Sequence, residues 1–152
     1  MKVQIKVNGM DQEHLVSLFS TAFYGSDYLI GRLPDDETVE RHDGECWEDI
    51  AARHILKGGH LDVDDTYADG DVYSELGRID PGHEGTTYRI GFEDIVRGLE
   101  NAANGTFKEA NDDEREAARE FFFELVENDG ELDSVGAEYL MQIILFGGVI
   151  YG

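Results

Sequence analysis

The stretch DVDDTYADGD, Asp62 to Asp71, carries five aspartates in ten residues, a dense set of potential cation ligands. A calcium-binding helix–loop–helix needs oxygen ligands at alternate loop positions, glycine at position six and a bidentate Glu at twelve. Setting Asp65, Asp69 and Gly70 at positions one, five and six puts Tyr67 at three and Leu76 at twelve. The pattern fails, so Asp and Gly are read here as turn formers. The five histidines, His14, His42, His54, His60 and His83, include no i, i+4 pair of the kind a helical zinc site uses. None is matched in sequence with a nucleophile and an orienting carboxylate, and each is read as structural or surface. The single cysteine, Cys46, rules out an internal disulfide or a thiolate cluster and is read as a small buried apolar residue beside Trp47. GHEGT lacks the helix start that a phosphate cradle uses. No catalytic set, metal site or cofactor motif is therefore expected.

Four residues remain as candidates for binding a ligand or partner. Tyr28 and Trp47 offer aromatic surface, and Tyr151 lies in the apolar run LFGGVIYG. Gln142 stands alone as a polar residue in an apolar helix, where it is expected to satisfy a backbone group or, alternatively, to orient a ligand. Phe121-Phe122-Phe123 spans more than one helix face, because consecutive residues lie about 100° apart. One of the three is expected either to widen the buried stripe or to protrude at a partner interface.

Charge is the compositional outlier. The 152 residues include 34 acidic and 12 basic side chains, a net charge of −22, with 11, 11 and 12 acids in residues 1–50, 51–100 and 101–152. An acidic tail would load one end; here the load is even. Lysine is scarce, four against eight Arg. The expectation is a carboxylate coat suited to molar salt, where the Debye length is about 3 Å and self-repulsion is screened. Ordinary acidity and mimicry of a phosphate backbone are the alternatives. The absence of a basic stripe argues against direct nucleic-acid binding. MKVQIKVNG has no apolar leader core and no run reaches the roughly 20 apolar residues that cross a bilayer, so a cytoplasmic setting is expected.

Several elements must position these residues. VQIKV alternates as a half-buried strand. Leu15, Leu18, Phe19, Ala22 and Phe23 stripe a helix from Asp11 to near Gly25. Residues 31–45 read as a polar surface loop, followed by a helix with Trp47, Ile50, Ala51 and His54 on one face and Gly58-Gly59 as its stop. HLDVDD, DVYSELGRI and TTYRI, separated by the turns TYADG and DPGHEG, predict an antiparallel meander. Phe92, Ile95, Val96, Leu99 and Ala103 mark a further helix. Asn111 and Glu114 form a capping box for the next, striped by Ala118, Phe121, Phe122 and Leu125. The last, from near Ser134, is apolar all round through Phe146 and hence buried, with Gly147-Gly148 turning the chain into a short VIY strand. The fold class is α+β in one domain over 1–152, a meander sheet packed against about five helices.

The ordered set TAFYGSDY, ILKGGHLDVDD, IVRGLENAA and YLMQIILFGGVIYG resembles a family of small uncharacterised proteins of tailed viruses and prophages. The positions matching that family are Gly25, Tyr28, Gly58, Gly59, Gly98, Gln142, Gly147, Tyr151 and Gly152. This chain has Leu29 where the family usually has Trp, a longer 31–45 loop and a longer acidic segment before the penultimate helix. The resemblance implies an accessory viral gene, in a halophile-like acidic version, with no reaction attached. The leading expectation is a non-enzymatic protein that binds a host or viral protein. A virion component, a small-ligand (nucleotide) binder and a DNA-mimic inhibitor of host defence are the alternatives.

Overall fold

The computed structural model describes residues 5–7, 9–66, 86–108, 110–127, 132–149 and 151. The order of elements is α1 (Gln12–Tyr24), β1 (Leu29–Arg32), α2 (Trp47–Leu56), β2 (Leu61–Asp65), β3 (Thr86–Ile90), α3 (Phe92–Asn104), α4 (Asp112–Glu127) and α5 (Ser134–Phe146). The three strands form one antiparallel sheet in the order β1-β2-β3, with Leu29 opposite Asp65 and Val63 opposite Tyr88. The α+β expectation with five helices is met.

Period-2 alternation sorts the sheet into two faces. Leu29, Leu61, Val63, Tyr88 and Ile90 are buried on the inner face. The outer face carries Arg32, Asp62, Asp64, Thr87 and Arg89, joined as a charge lattice: Arg32 to Asp64 at 3.0 Å and Arg89 to Asp62 at 2.9 Å. Of the aspartates weighed as cation ligands, Asp62 and Asp64 are thus committed within the sheet. Tyr67 to Asp71, the DVYSELGRI strand and His83 lie outside the described residues.

Helix α5 is buried along most of its length, from Leu140 through Phe146 without a break. It packs against α1, α3 and α4, and its Phe146 ring meets Tyr88 of β3 edge-on at 5.5 Å. Gly98 permits the crossing with α3: a Cβ there would sit 2.6 Å from the Ile144 Cα, which only separation of the helices could relieve. Where α1 ends, Gly25 touches Ser134 at the start of α5, too closely for a side chain. Caps agree with the sequence: the Asp133 side chain accepts from Gly136 N–H, and the Asn111 and Glu114 side chains each accept from the other's backbone N–H at the start of α4. At the end of α2, Gly58 N–H bonds to Ile55 O and Gly59 N–H to His54 O. These are the paired bonds of a helix terminated by a left-handed glycine, Gly58 at φ +93°.

Three expectations are corrected. Residues 29–32, partly assigned to the polar loop, form the edge strand β1. Of the N-terminal VQIKV, the described residues Ile5 to Val7 run beside α3 without strand pairing. Their main chain is held by side chains, Asn104 taking both the N–H and the C=O of Ile5 and Glu100 taking Val7 N–H. In place of a final VIY strand, the described residues show one isolated parallel bridge at the preceding Gly148, with Lys108. Of the three phenylalanines, Phe122 is buried, Phe121 lies against Tyr139, and Phe123 protrudes.

Candidate functional site

Three of the four sequence candidates converge. Gln142, on the buried face of α5, accepts from Tyr151 N–H at 2.8 Å and donates to Tyr151 C=O at 3.0 Å and to the Tyr28 hydroxyl at 3.1 Å. A side-chain carboxamide has the donor and acceptor of a peptide unit, so it pairs with an extended chain as a neighbouring strand would. The Tyr151 ring stands edge-on to Tyr28 at 4.6 Å and to Phe146 at 6.0 Å. Its hydroxyl donates to Asp65 at 2.8 Å, on the inner face of β2, where the carboxylate is wholly buried.

Burial raises the Tyr28 phenol far above its usual range, and a hydrogen bond to the Glu138 carboxylate adds to that effect. Tyr28 is therefore a neutral hydroxyl with its bonding capacity engaged, buried between Gln142 and Glu138. The arrangement fastens residues 147–151 into the core, with Lys108 N–H bonding to Gly147 C=O where Gly147 turns at φ +73°. It fulfils the reading of Gln142 as satisfying backbone groups. Trp47 is elsewhere: at the first position of α2 it packs edge-on to Phe23 at 5.8 Å and against Phe19 at 6.4 Å. Gly31 of β1 leaves room for this trio. Gly152 lies outside the described residues.

A second convergence was not visible in the sequence. Glu37, in the polar loop, accepts from His54 Nε2 of α2 at 2.8 Å and from His60 Nδ1 at 2.6 Å, and also from His60 N–H at 2.9 Å. An ionised carboxylate only accepts, so both imidazoles present an N–H to it. Burial opposes ionisation of Glu37, but these bonds outweigh it and hold its pKa below the ordinary value. His54 packs on the backbone of Gly59, where any Cβ would overlap its ring. Arg53 is held by Glu45 and by Glu40 C=O at 2.8 Å, and Lys57 by the Glu40 carboxylate at 2.6 Å. Its bond to the Arg53 guanidinium, helped by backbone and charge effects, holds the Glu45 pKa at about 2. Arg89 reaches Asp36 at 2.8 Å. Between loop and helix lies a cavity of about 380 Å³ lined by Glu37, Thr38, Glu40, Arg53, His54, Lys57, Gly58 and Gly59.

The remaining polar candidates are structural in their contacts. His14 caps α1 with Asp11, and its Nε2 lies 3.1 Å from Val126 C=O of α4. Cys46, expected to be buried, is instead exposed, because it stands at the N-cap of α2 where the chain leaves the polar loop. Among the described residues no group of three or more His, Cys, Asp or Glu side chains is placed to hold a metal ion, and no helix is long and apolar enough to cross a membrane. No protein-family model, curated protein or solved structure matches this chain.

Proposed function

We propose that this chain is a non-catalytic binding protein, an accessory protein of a virus or provirus in a salt-loving host, that engages a protein partner through its carboxylate-covered surface. The observation that carries this reading is the unequal use of charge. Arg32, Arg53, Lys57, Arg89, Arg97 and Arg115 are each paired with the chain's own carboxylates. Exposed acids meanwhile lie on α1 (Glu13), the β1–α2 loop (Asp35, Asp43), α3 (Glu93) and α4 (Asp113, Glu116, Glu120). A partner approaching from most directions meets negative charge, which favours a cationic protein surface and disfavours phosphate. The commitment of His14, His54 and His60 to internal hydrogen bonds further supports binding over acid–base catalysis. The viral setting rests on the resemblance carried by the glycine and tyrosine positions.

Cross-linking of the tagged chain in host lysate at native salt, followed by reconstitution with the purified partner, tests the reading. A basic partner that binds more weakly as salt rises is the expected result. No reproducible partner in lysate or in purified virions would refute it. The salt claim has a separate check by circular dichroism. Secondary structure that strengthens between low and molar salt is expected, and equal stability in both would remove adaptation to salt.

A further inference from the structure

We propose that residues 35–45 are a self-bound acidic strap over a concealed cationic face, and that lifting this strap opens the face to an acidic peptide segment of a partner. The strap carries six acids in eleven residues: Asp35, Asp36, Glu37, Glu40, Asp43 and Glu45. It contains turns but no helix or strand. The face beneath it gathers Arg53 and His54 from α2, Lys57 at its C-cap, His60 before β2, and Arg89 from β3. Each of these five is contacted by a strap carboxylate. In a chain of net charge −22, this concentration of basic groups is the exception.

How the strap is attached makes it separable from the core. Pro34 at its base is buried and Val39 is half-buried; the other contacts around the 380 Å³ cavity are polar, ion pairs together with Arg53 to Glu40 C=O and His60 N–H to Glu37. Apolar burial holds the helices together irrespective of ionic conditions, whereas the exposed pairs Lys57–Glu40 and Arg89–Asp36 are individually weak and screened by salt, leaving Glu37 and Glu45 as the strap's mostly buried anchors. The strap thus has a way to open that leaves the rest of the fold in place. Its own contacts define the chemistry of the occupant: an extended segment with carboxylates spaced as Asp36, Glu37 and Glu40, accepting from guanidinium, imidazole and ammonium donors. The tethered strap competes at high effective concentration, so the apparent affinity for an outside segment is reduced by the fraction of molecules that are open.

The test compares the wild-type chain with the triple variant Asp36→Asn, Glu37→Gln, Glu40→Gln, using a fluorescein-labelled deca-glutamate peptide at about 0.15 M salt. Anisotropy is expected to show at least tenfold tighter binding by the triple variant, lost when Arg53→Gln and Lys57→Gln are added. Amide exchange is expected to show lost protection at the His60 N–H, which Glu37 holds, with α5 unchanged. Equal binding by wild type and triple variant, binding that ignores Arg53 and Lys57, or equal or tighter binding of a ten-nucleotide DNA would each overturn the proposal. Should the triple variant fail to fold, amide exchange on the wild-type chain decides. Exchange of the His60 N–H, which Glu37 holds, by local opening while α5 stays protected supports the proposal, and its exchange only with global unfolding overturns it.

Discussion

Replacing Gln142 by Leu keeps the approximate volume of the side chain and removes three hydrogen bonds at once, at 2.8, 3.0 and 3.1 Å. Each is worth about 1 kcal/mol net, and a buried partner left unmatched costs about 1–3 kcal/mol. Tyr151 is half-buried, so water can recover part of what its backbone loses, whereas Tyr28 keeps its bond to Glu138. The improved apolar match of Leu within α5 offsets some of the remainder. The expected net destabilisation is about 3 kcal/mol, or a fall in Tm of roughly 6–12 °C for a chain of this size. Urea unfolding followed by circular dichroism measures it. Amide exchange adds the location, since protection near Tyr151 should fall further than in α3. A double-mutant cycle with Tyr28→Phe isolates the Gln142–Tyr28 bond at about 1 kcal/mol of coupling. A Gln142→Leu protein within 0.5 kcal/mol of wild type, on the scale of ordinary surface substitutions, would refute the view that the carboxamide fastens this segment.

Other perturbations test separate contacts. Gly98→Ala forces a methyl against the Ile144 backbone and is expected to cost about 2–3 kcal/mol by overpacking, read from denaturant midpoints. Asn104→Asp turns a donor to Ile5 C=O into an acceptor and is expected to expose residues 5–7 to exchange and cost about 1–2 kcal/mol, while α5 protection changes little. Glu45 and Glu37 both have folded pKa values below ordinary, Glu45 at about 2. Unfolded glutamates titrate near about 4.3, so their contribution is full above that pH and lost as pH falls towards 2. Relief of self-repulsion in so acidic a chain acts in the opposite direction, so the informative quantity is the stability difference between wild type and Glu37→Gln/Glu45→Gln. That difference should shrink below about pH 4, and a difference independent of pH would contradict the assignment.

Local patterns announced the helices because their causes are local. Of the stripe Phe92, Ile95, Val96, Leu99 and Ala103, read from helical spacing, Ile95, Leu99 and Ala103 are buried and Phe92 and Val96 half-buried. Asn111 and Glu114 lie three residues apart and cap as that spacing requires. What escaped sequence reading depends on partners far along the chain. Glu37 meets His54 and His60 at separations of 17 and 23 residues, and each residue alone looks like a surface polar group. Ile5 and Asn104 are 99 residues apart. The alternation of VQIKV reports a half-buried extended chain, but says nothing of whether its hydrogen bonds go to a strand or to an amide. β1 was hidden because Gly31 and Arg32 look like loop residues, although Gly31 is there to admit Phe23 and Trp47. Gln142 was legible for the opposite reason: one polar group among apolar neighbours demands a partner. Asp65 offered the same signal, a carboxylate in phase with Leu61 and Val63.

Helix α5 serves α1, α3 and α4 as a common wall and reaches the sheet through Phe146. None of those neighbours can keep its greasy side dry once this segment departs. Melting should therefore be one event and not a sequence of peeled layers, with the slowest-exchanging amides of the molecule between Leu140 and Phe146. Carboxylates at the periphery have latitude to change; these seven positions have almost none.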